Sequence, residues 1–291
     1  MFEGTFTALV TPFQNDQLDE SAFERLIEGQ IRAGITGIVP VGTTGESPTL
    51  DYKEHSRVIE LAVKFANKRC IVMAGTGSNS TSEAVALTVE AEHLGADAAL
   101  LVAPYYNKPT QEGLFLHFAK IAEATKLPLM LYSIPGRCGI EIGVETVVRL
   151  VERFPNIVAI KEAGGSVERV SQLRSTLPAS FQILSGDDSL TVPFISVGAV
   201  GVVSVASNVM PAQVGNLVKA ALAGDFKTAR EIHFQLYPLF KDLFIESNPV
   251  PAKAALARLG QMQPDVRLPL APISAPNQAK LEATLRTVGL I

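Results

Sequence analysis

Lys161 is the residue whose type and position say most about chemistry in this chain. It closes the apolar run Ile157-Val158-Ala159-Ile160 and shares strand parity with Ile157 and Ala159, so an inward-facing strand would carry its amine into the interior of the fold. A free lysine, with a pKa of about 10.4, is neutral at pH 7 in only about one molecule in 2,500. Burial in a low dielectric lifts that restriction and makes the amine a nucleophile suited to Schiff-base catalysis. The competing reading is a lysine that ends its strand and pairs with a carboxylate such as Glu162.

Three of the five tyrosines, Tyr105, Tyr106 and Tyr132, fall on or just after candidate strands. A phenol relays a proton when another hydroxyl shares its hydrogen-bond chain, and Thr43 or Thr44 can supply that hydroxyl. Simple packing at the rim is the alternative for the tyrosines. Arg137 follows the Pro135-Gly136 turn, where a planar guanidinium can hold a carboxylate through two hydrogen bonds or else stay solvated.

Other features carry less. Gly75-Thr76-Gly77 matches no phosphate-loop pattern. Asp187-Asp188 has no histidine or further carboxylate at ligand spacing, so a capped helix start is expected there and no metal site. His55, His93, His117 and His233 scatter over predicted helices. Two cysteines are too few for a disulfide framework; Cys70 reads as buried packing and Cys138 as loop filler.

Positioning these groups requires a scaffold, and the chain supplies one with a clear rhythm. Eight short apolar, β-rich runs, at 5–10, 37–41, 70–74, 98–103, 128–132, 157–160, 181–184 and 200–205, start roughly 19 to 33 residues apart, the length of a strand plus a crossover helix. Between them, segments 20–33, 53–66, 81–94, 111–125, 144–154 and 167–177 carry apolar residues at helical spacing, several behind capping residues such as Asp19, Ser80 and Thr110. Eight such units close most simply into an α/β (β/α)8 TIM barrel, with an open doubly wound sheet as the alternative. Helical patterns over 226–244, 250–259 and 277–287, with a Pro-rich connector at 264–276, extend it. The expected division is a barrel over 1–222, carrying the active site at the C-terminal ends of its strands, and a C-terminal helical extension over 223–291.

Length and composition agree with one large folded unit, since barrels run to about 250 residues as a single domain. The 25 basic and 29 acidic side chains give a net charge of -4. That leaves no basic excess for a phosphate backbone, so nucleic acid is excluded as a partner and a small molecule is expected. Met1-Phe2-Glu3-Gly4 has no signal-peptide character and no apolar stretch reaches the roughly 20 residues a membrane helix needs, so a cytoplasmic protein without membrane contact is expected.

Taken together, Gly42-Thr43-Thr44-Gly45-Glu46, Tyr132-x-x-Pro135 and Ile160-Lys161-Glu162 resemble the class I aldolase superfamily of dihydrodipicolinate synthase and N-acetylneuraminate lyase. The resemblance extends along essentially the whole chain through 103–109, 184–188, 201–205 and 248–253. It is strongest with the synthase branch, through Thr43-Thr44 and Arg137. It implies that Lys161 forms an imine with pyruvate and that the derived enamine attacks L-aspartate 4-semialdehyde, in the diaminopimelate route to lysine. Tyr132, Thr43 and Tyr106 would relay protons, Tyr106 from a neighbouring subunit of a homotetramer. Thr44 and the backbone at Val203 would hold the pyruvate carboxylate, Gly186 would line the pocket and Arg137 would anchor the semialdehyde. The cationic imine acts as the electron sink, so no cofactor is implied.

The same resemblance implies L-lysine as a feedback inhibitor at Ser47, His55, Asn79, Glu83 and Tyr105, with Pro48 and Tyr52 standing where the commonest bacterial pattern has Ala and His. Ser133 likewise replaces an asparagine. Competing functions are a sugar-acid lyase of the same superfamily, which would share Lys161 and Tyr132 but have less use for Arg137, and a non-catalytic keto-acid sensor.

Overall fold

The computed structural model describes residues 2–291. Eight parallel strands form a closed barrel: β1 (Gly4–Ala8), β2 (Gly37–Val39), β3 (Ile71–Gly75), β4 (Ala98–Val102), β5 (Leu129–Ser133), β6 (Ile157–Glu162), β7 (Gln182–Ser185) and β8 (Gly201–Ser204). Each pairs with its sequence neighbour, and β8 closes on β1 with Phe6 opposite Val203. The eight-strand rhythm and the barrel closure agree with the sequence reading.

Crossover helices lie outside: α1 (Glu20–Arg32), α2 (Tyr52–Ala66), α3 (Thr81–His93), α4 (Gln111–Ala124), α5 (Val144–Arg153), α6 (Val167–Thr176), α7 (Thr191–Ser196) and α8 (Pro211–Leu222). Their starts are fixed locally. Asp19, Ser80, Thr110 and Ser166 accept hydrogen bonds from first-turn amides, and Asp51 with Glu54 forms a capping box. The extension adds α9 (Phe226–Asp242), α10 (Val250–Arg258) and α11 (Ala275–Thr287). No helix of the described residues is long and apolar enough to cross a membrane.

Alternation along the strands separates two cores. Ile38, Ala99, Leu131 and Ile160 face the helices, whereas Phe6, Val39, Met73, Leu100, Met130, Ala159, Leu184 and Val203 fill the barrel. Ile157 departs from the expected parity: the β5–β6 register shifts between Leu129 and Met130, which turns Ile157 to the helix side while Ala159 and Lys161 stay inward. The cysteines also reverse their expected places. Cys138 is buried with its thiol donating to the Ala103 carbonyl, and Cys70 is half-buried. A small hairpin, Phe13–Gln14 with Gln17–Leu18, was not foreseen; Asn15 and Asp16 turn it with positive φ.

Candidate active site

Strand register builds the site. Tyr132 lies directly opposite Lys161 across the β5–β6 pair, and Leu184 flanks Lys161 on the other side. Both side chains point inward, so the Lys161 ammonium nitrogen stands 4.1 Å from the centroid of the Tyr132 ring. Lys161 is 6% exposed and makes no ion pair with Glu162, which points the other way. Burial lowers its pKa to about 7, with Asp188 pulling it up and Arg137 pushing it further down. About half the amines are then neutral at pH 7, which removes the handicap of a free lysine. Burial raises the Tyr132 phenol well above its ordinary value, while Arg137 and a hydrogen bond from Thr43 oppose that shift.

Lys161 and Tyr132 form the floor of a cavity of about 660 Å³ at the C-terminal mouth of the barrel, and Thr43, Thr44, Arg137 and Cys138 line its walls. Gly186 sits against the lysine stem. A Cβ there would come within 3.0 Å of Lys161 Cε and 2.6 Å of Ala163 Cβ, so any side chain would push the amine out of line. Val203 is buried in the barrel interior on β8. The described residues hold no cluster of three or more His, Cys, Asp or Glu side chains arranged to bind a metal.

The loop after β2 carries Thr43 and Thr44 between two strained positions, Val41 at φ 49° and Glu46 at φ 55°. Left-handed backbone at a β-branched valine costs on the order of 1–3 kcal/mol and marks a segment held in place by its surroundings. Part of that support comes from Thr11, whose hydroxyl donates to the Gly45 carbonyl at 2.7 Å.

The loop after β5 is set by a second cluster, with no forewarning in the sequence. The Glu162 carboxylate, fully buried on the outer face of β6, accepts from Arg169 Nε at 2.7 Å and from the Gly164 amide. Burial raises its pKa against the pull of Arg169. The same guanidinium reaches Glu141 at 3.0 Å and the Ile142 carbonyl, tying the Arg137 loop to the strand that bears Lys161. Ser133 joins in by accepting from the Ile142 amide at 3.4 Å. Arg169→Met would leave the Glu162 carboxylate buried with the Gly164 amide but without its ion-pair partner; it is expected to lower stability by about 3–5 kcal/mol, read as a fall in the chemical-denaturation midpoint.

Asp188 was also missed as an individual residue. Asp187 caps the single turn Asp188–Leu190, as the capped-start reading anticipated. Asp188 itself is buried and accepts from Ser204 Oγ, Val205 N and Ala206 N, bracing the backbone beyond Val203.

Farther out, Ser47, Pro48, Tyr52, His55, Glu83 and Tyr105 line the mouth of the same cavity. Both Glu83 oxygens are occupied, one by the Tyr52 phenol and one by the Ser78 hydroxyl. His55 is buried with Nε2 3.0 Å from the Gly75 carbonyl, and burial lowers its pKa. Asn79 donates to the Tyr105 carbonyl at 3.1 Å. Tyr106 stands apart from the other expected relay residues: it is 89% exposed, on left-handed backbone at φ 72°, and does not line the cavity of its own chain.

A buried amine of lowered pKa, a phenol beside it and an arginine at the mouth can together capture a keto acid as an imine and present it to a carboxylated electrophile. Comparison with known proteins agrees. The dihydrodipicolinate synthetase family profile matches residues 1–288. The 4-hydroxy-tetrahydrodipicolinate synthase of Hydrogenobaculum sp. (strain Y04AAS1) is 51% identical over 291 residues, covering all of both chains. The solved structure of 4-hydroxy-tetrahydrodipicolinate synthase from Methylacidiphilum fumariolicum SolV superposes with a TM-score of 0.98 at 59% identity, over 99% of this chain and 96% of that one. The Acinetobacter baumannii dihydrodipicolinate synthase complexed with pyruvate gives 0.98 at 44% identity over all of both chains. The Cyanidioschyzon merolae enzyme with lysine bound gives 0.97 at 41%, over 100% and 99%. By sequence and by architecture, the chain belongs to the dihydrodipicolinate synthetase family.

Proposed function

We propose that this chain is a carbon–oxygen lyase that condenses pyruvate with L-aspartate 4-semialdehyde to 4-hydroxy-tetrahydrodipicolinate, on the diaminopimelate route to lysine. The observation that carries the reading is the Lys161 amine, buried and partly neutral, 4.1 Å from the Tyr132 ring. The amine adds to C2 of pyruvate and water leaves, giving a cationic imine. That cation draws electrons from C3, which loses a proton and becomes the enamine carbon. C3 attacks the aldehyde carbon of the semialdehyde, and the substrate's own amine then displaces Lys161 from C2, closing the ring and freeing the enzyme.

In this reading Tyr132 carries protons with Thr43 and with Tyr106 of a neighbouring copy, Thr44 and the Val203 backbone hold the pyruvate carboxylate, Gly186 keeps the lysine stem in line and Arg137 binds the semialdehyde carboxylate. The full exposure of Tyr106 on a strained loop supports its use by a second chain, in a homotetramer acting in the cytoplasm. Residues 1–222 form the catalytic barrel and 223–291 its extension. L-lysine would bind at the outer mouth among Ser47, His55, Asn79, Glu83 and Tyr105. There its ammonium would share the Glu83 carboxylate with Tyr52 and Ser78, so weakened feedback is expected.

Borohydride reduction in the presence of pyruvate, followed by peptide mass spectrometry, tests the imine; semialdehyde consumption tests the condensation. A pyruvyl adduct on Lys161 with no semialdehyde consumption would move the chain to a pyruvate-forming lyase instead. Arg137→Ala separates these directly. Loss of a two-pronged carboxylate contact should raise the KM for semialdehyde by about 100-fold while pyruvate trapping stays within about twofold, measured by steady-state kinetics and adduct titration.

A further inference from the structure

The loop bearing Thr43 and Thr44 is gripped from outside the barrel, by the C-terminal extension. Lys253 of α10 has no exposed side chain; its amine pairs with Glu46, donates to the Asp265 carbonyl at 2.8 Å and sits 4.2 Å from the Phe13 ring centroid. The second Glu46 oxygen accepts from the Arg267 amide at 3.0 Å, and the Arg267 guanidinium also lies 4.2 Å from the Phe13 centroid while binding Glu54 and the Thr49 carbonyl. Glu46 and Thr49, on the C-terminal side of the loop, are therefore held by residues more than 200 positions away in sequence.

One contact in this set reaches the cavity wall itself. Asn248, 6% exposed, donates from Nδ2 to Thr44 Oγ1 at 2.9 Å, and Thr44 is 4% exposed. A threonine hydroxyl has one proton and two acceptor lone pairs. With Asn248 filling a lone pair, the hydroxyl proton is left to donate elsewhere, and Thr44 lines the cavity that holds Lys161. The other amide atom, Asn248 Oδ1, is buried without a hydrogen-bond partner among the described residues, so the Thr44 contact is the one polar tie of this side chain.

We propose that Asn248 is a positioning residue for substrate capture: its amide turns the Thr44 hydroxyl proton into the cavity, toward the carboxylate of a 2-keto acid, while the Lys253–Glu46 pair holds the loop at the height where that donor meets the carboxylate. The inference rests on the reading of Thr44 as a carboxylate contact. The extension is then part of the binding apparatus for the first substrate, not a layer added for stability alone.

The test compares Asn248→Ala and Asn248→Asp by borohydride trapping across a pyruvate titration, with kcat, semialdehyde KM at saturating pyruvate and thermal melting in parallel. In the alanine variant the hydroxyl rotates freely, and half-maximal trapping should need about tenfold more pyruvate, the equivalent of about 1.4 kcal/mol for one hydrogen bond to a charged group. The aspartate variant reverses the bond. Its carboxylate takes the Thr44 proton and repels the substrate carboxylate, so about 100-fold more pyruvate is expected. The semialdehyde KM and kcat should stay within about threefold in both.

Equal shifts for the two variants, or unchanged trapping in the aspartate variant, would overturn the proposal, because packing alone does not distinguish donor from acceptor. A double-mutant cycle provides a check that does not depend on the aspartate variant folding. On a Thr44→Val background Asn248→Ala should add less than about twofold, and additive losses would also overturn the proposal. Wild-type protein that traps no pyruvate would remove the underlying reading and this inference with it; wild-type protein that traps while the variants behave alike removes this inference alone.

Discussion

Lys161→Ala is expected to abolish the borohydride-trapped pyruvyl adduct and to lower kcat/KM by about 10⁴-fold or more, because the covalent route disappears with the amine and no neighbouring group replaces it. The neighbouring phenol and thiol are poor nucleophiles: the Tyr132 phenol on the floor is pushed far above the pH range of use, and burial raises the Cys138 thiol on the wall to about 11. The pH dependence of the wild type follows from the same burial. With the amine lowered to about 7, adduct formation should rise nearly tenfold per unit from pH 5 to pH 6.5 and level off above about pH 8. A lysine of ordinary pKa would keep rising to pH 10, and that outcome in a pH series of trapping rates would count against the assignment.

The sign of the stability effect is fixed too. Folding lowers this amine's proton affinity, so between about pH 7 and pH 10.5 the unfolded chain binds more protons than the folded one. The penalty is therefore full below pH 7 and fades as pH rises toward 10.5. Lys161→Met keeps the length of the side chain and removes the buried charge; it should melt higher than wild type at pH 7 while being inactive, and the gain should shrink by pH 10. A gain in stability together with a loss of activity is the mark of a residue kept for chemistry.

Why these residues were legible in sequence, and others were not, comes down to range. Lys161 and Tyr132 announce themselves because strand alternation is local: an apolar run ending in a polar residue fixes which face that residue shares. The crossover rhythm did the same for the barrel. Even so, a one-residue register shift beside Leu129 was enough to turn Ile157 away from the expected face, since nothing in a strand's own pattern reports its partner's bulge. Glu162–Arg169, Glu46–Lys253 and Asn248–Thr44 escaped for a different reason. Each joins groups whose meeting depends on how helices and loops return to the barrel. Asn248 to Thr44 spans 204 positions. Lys253 stood in a stretch that fitted the family resemblance, yet only packing shows that it is wholly buried, with its pKa lowered to about 8 by burial despite Glu46 beside it. Tyr106 marks the limit in the other direction, since the proposed use by a second chain would leave it as it is found in one, exposed and away from the cavity.

Tyr132→Phe is expected to separate capture from turnover. The ring that stacks beside Lys161 remains, the barrel interior stays filled, and the amine keeps its burial, so pyruvate should still be trapped to the same final extent. Only the hydroxyl is lost. Each proton that leaves the carbinolamine or reaches the new alkoxide must then travel through water or Thr43 alone, and removing a positioned general acid–base costs about 10²–10⁴-fold. Condensation should fall by about that factor, with the approach to full adduct slowed and its pyruvate dependence little changed. The raised phenol pKa sets the direction: at neutral pH the group is protonated, so in the proposed relay it would enter the cycle as a donor, with Thr43 beside it to return the proton. If trapping and turnover fell together, with a matching loss in melting temperature, the phenol would be a structural prop. A large loss of turnover with capture intact and an unchanged melting curve is the result that fits a proton carrier.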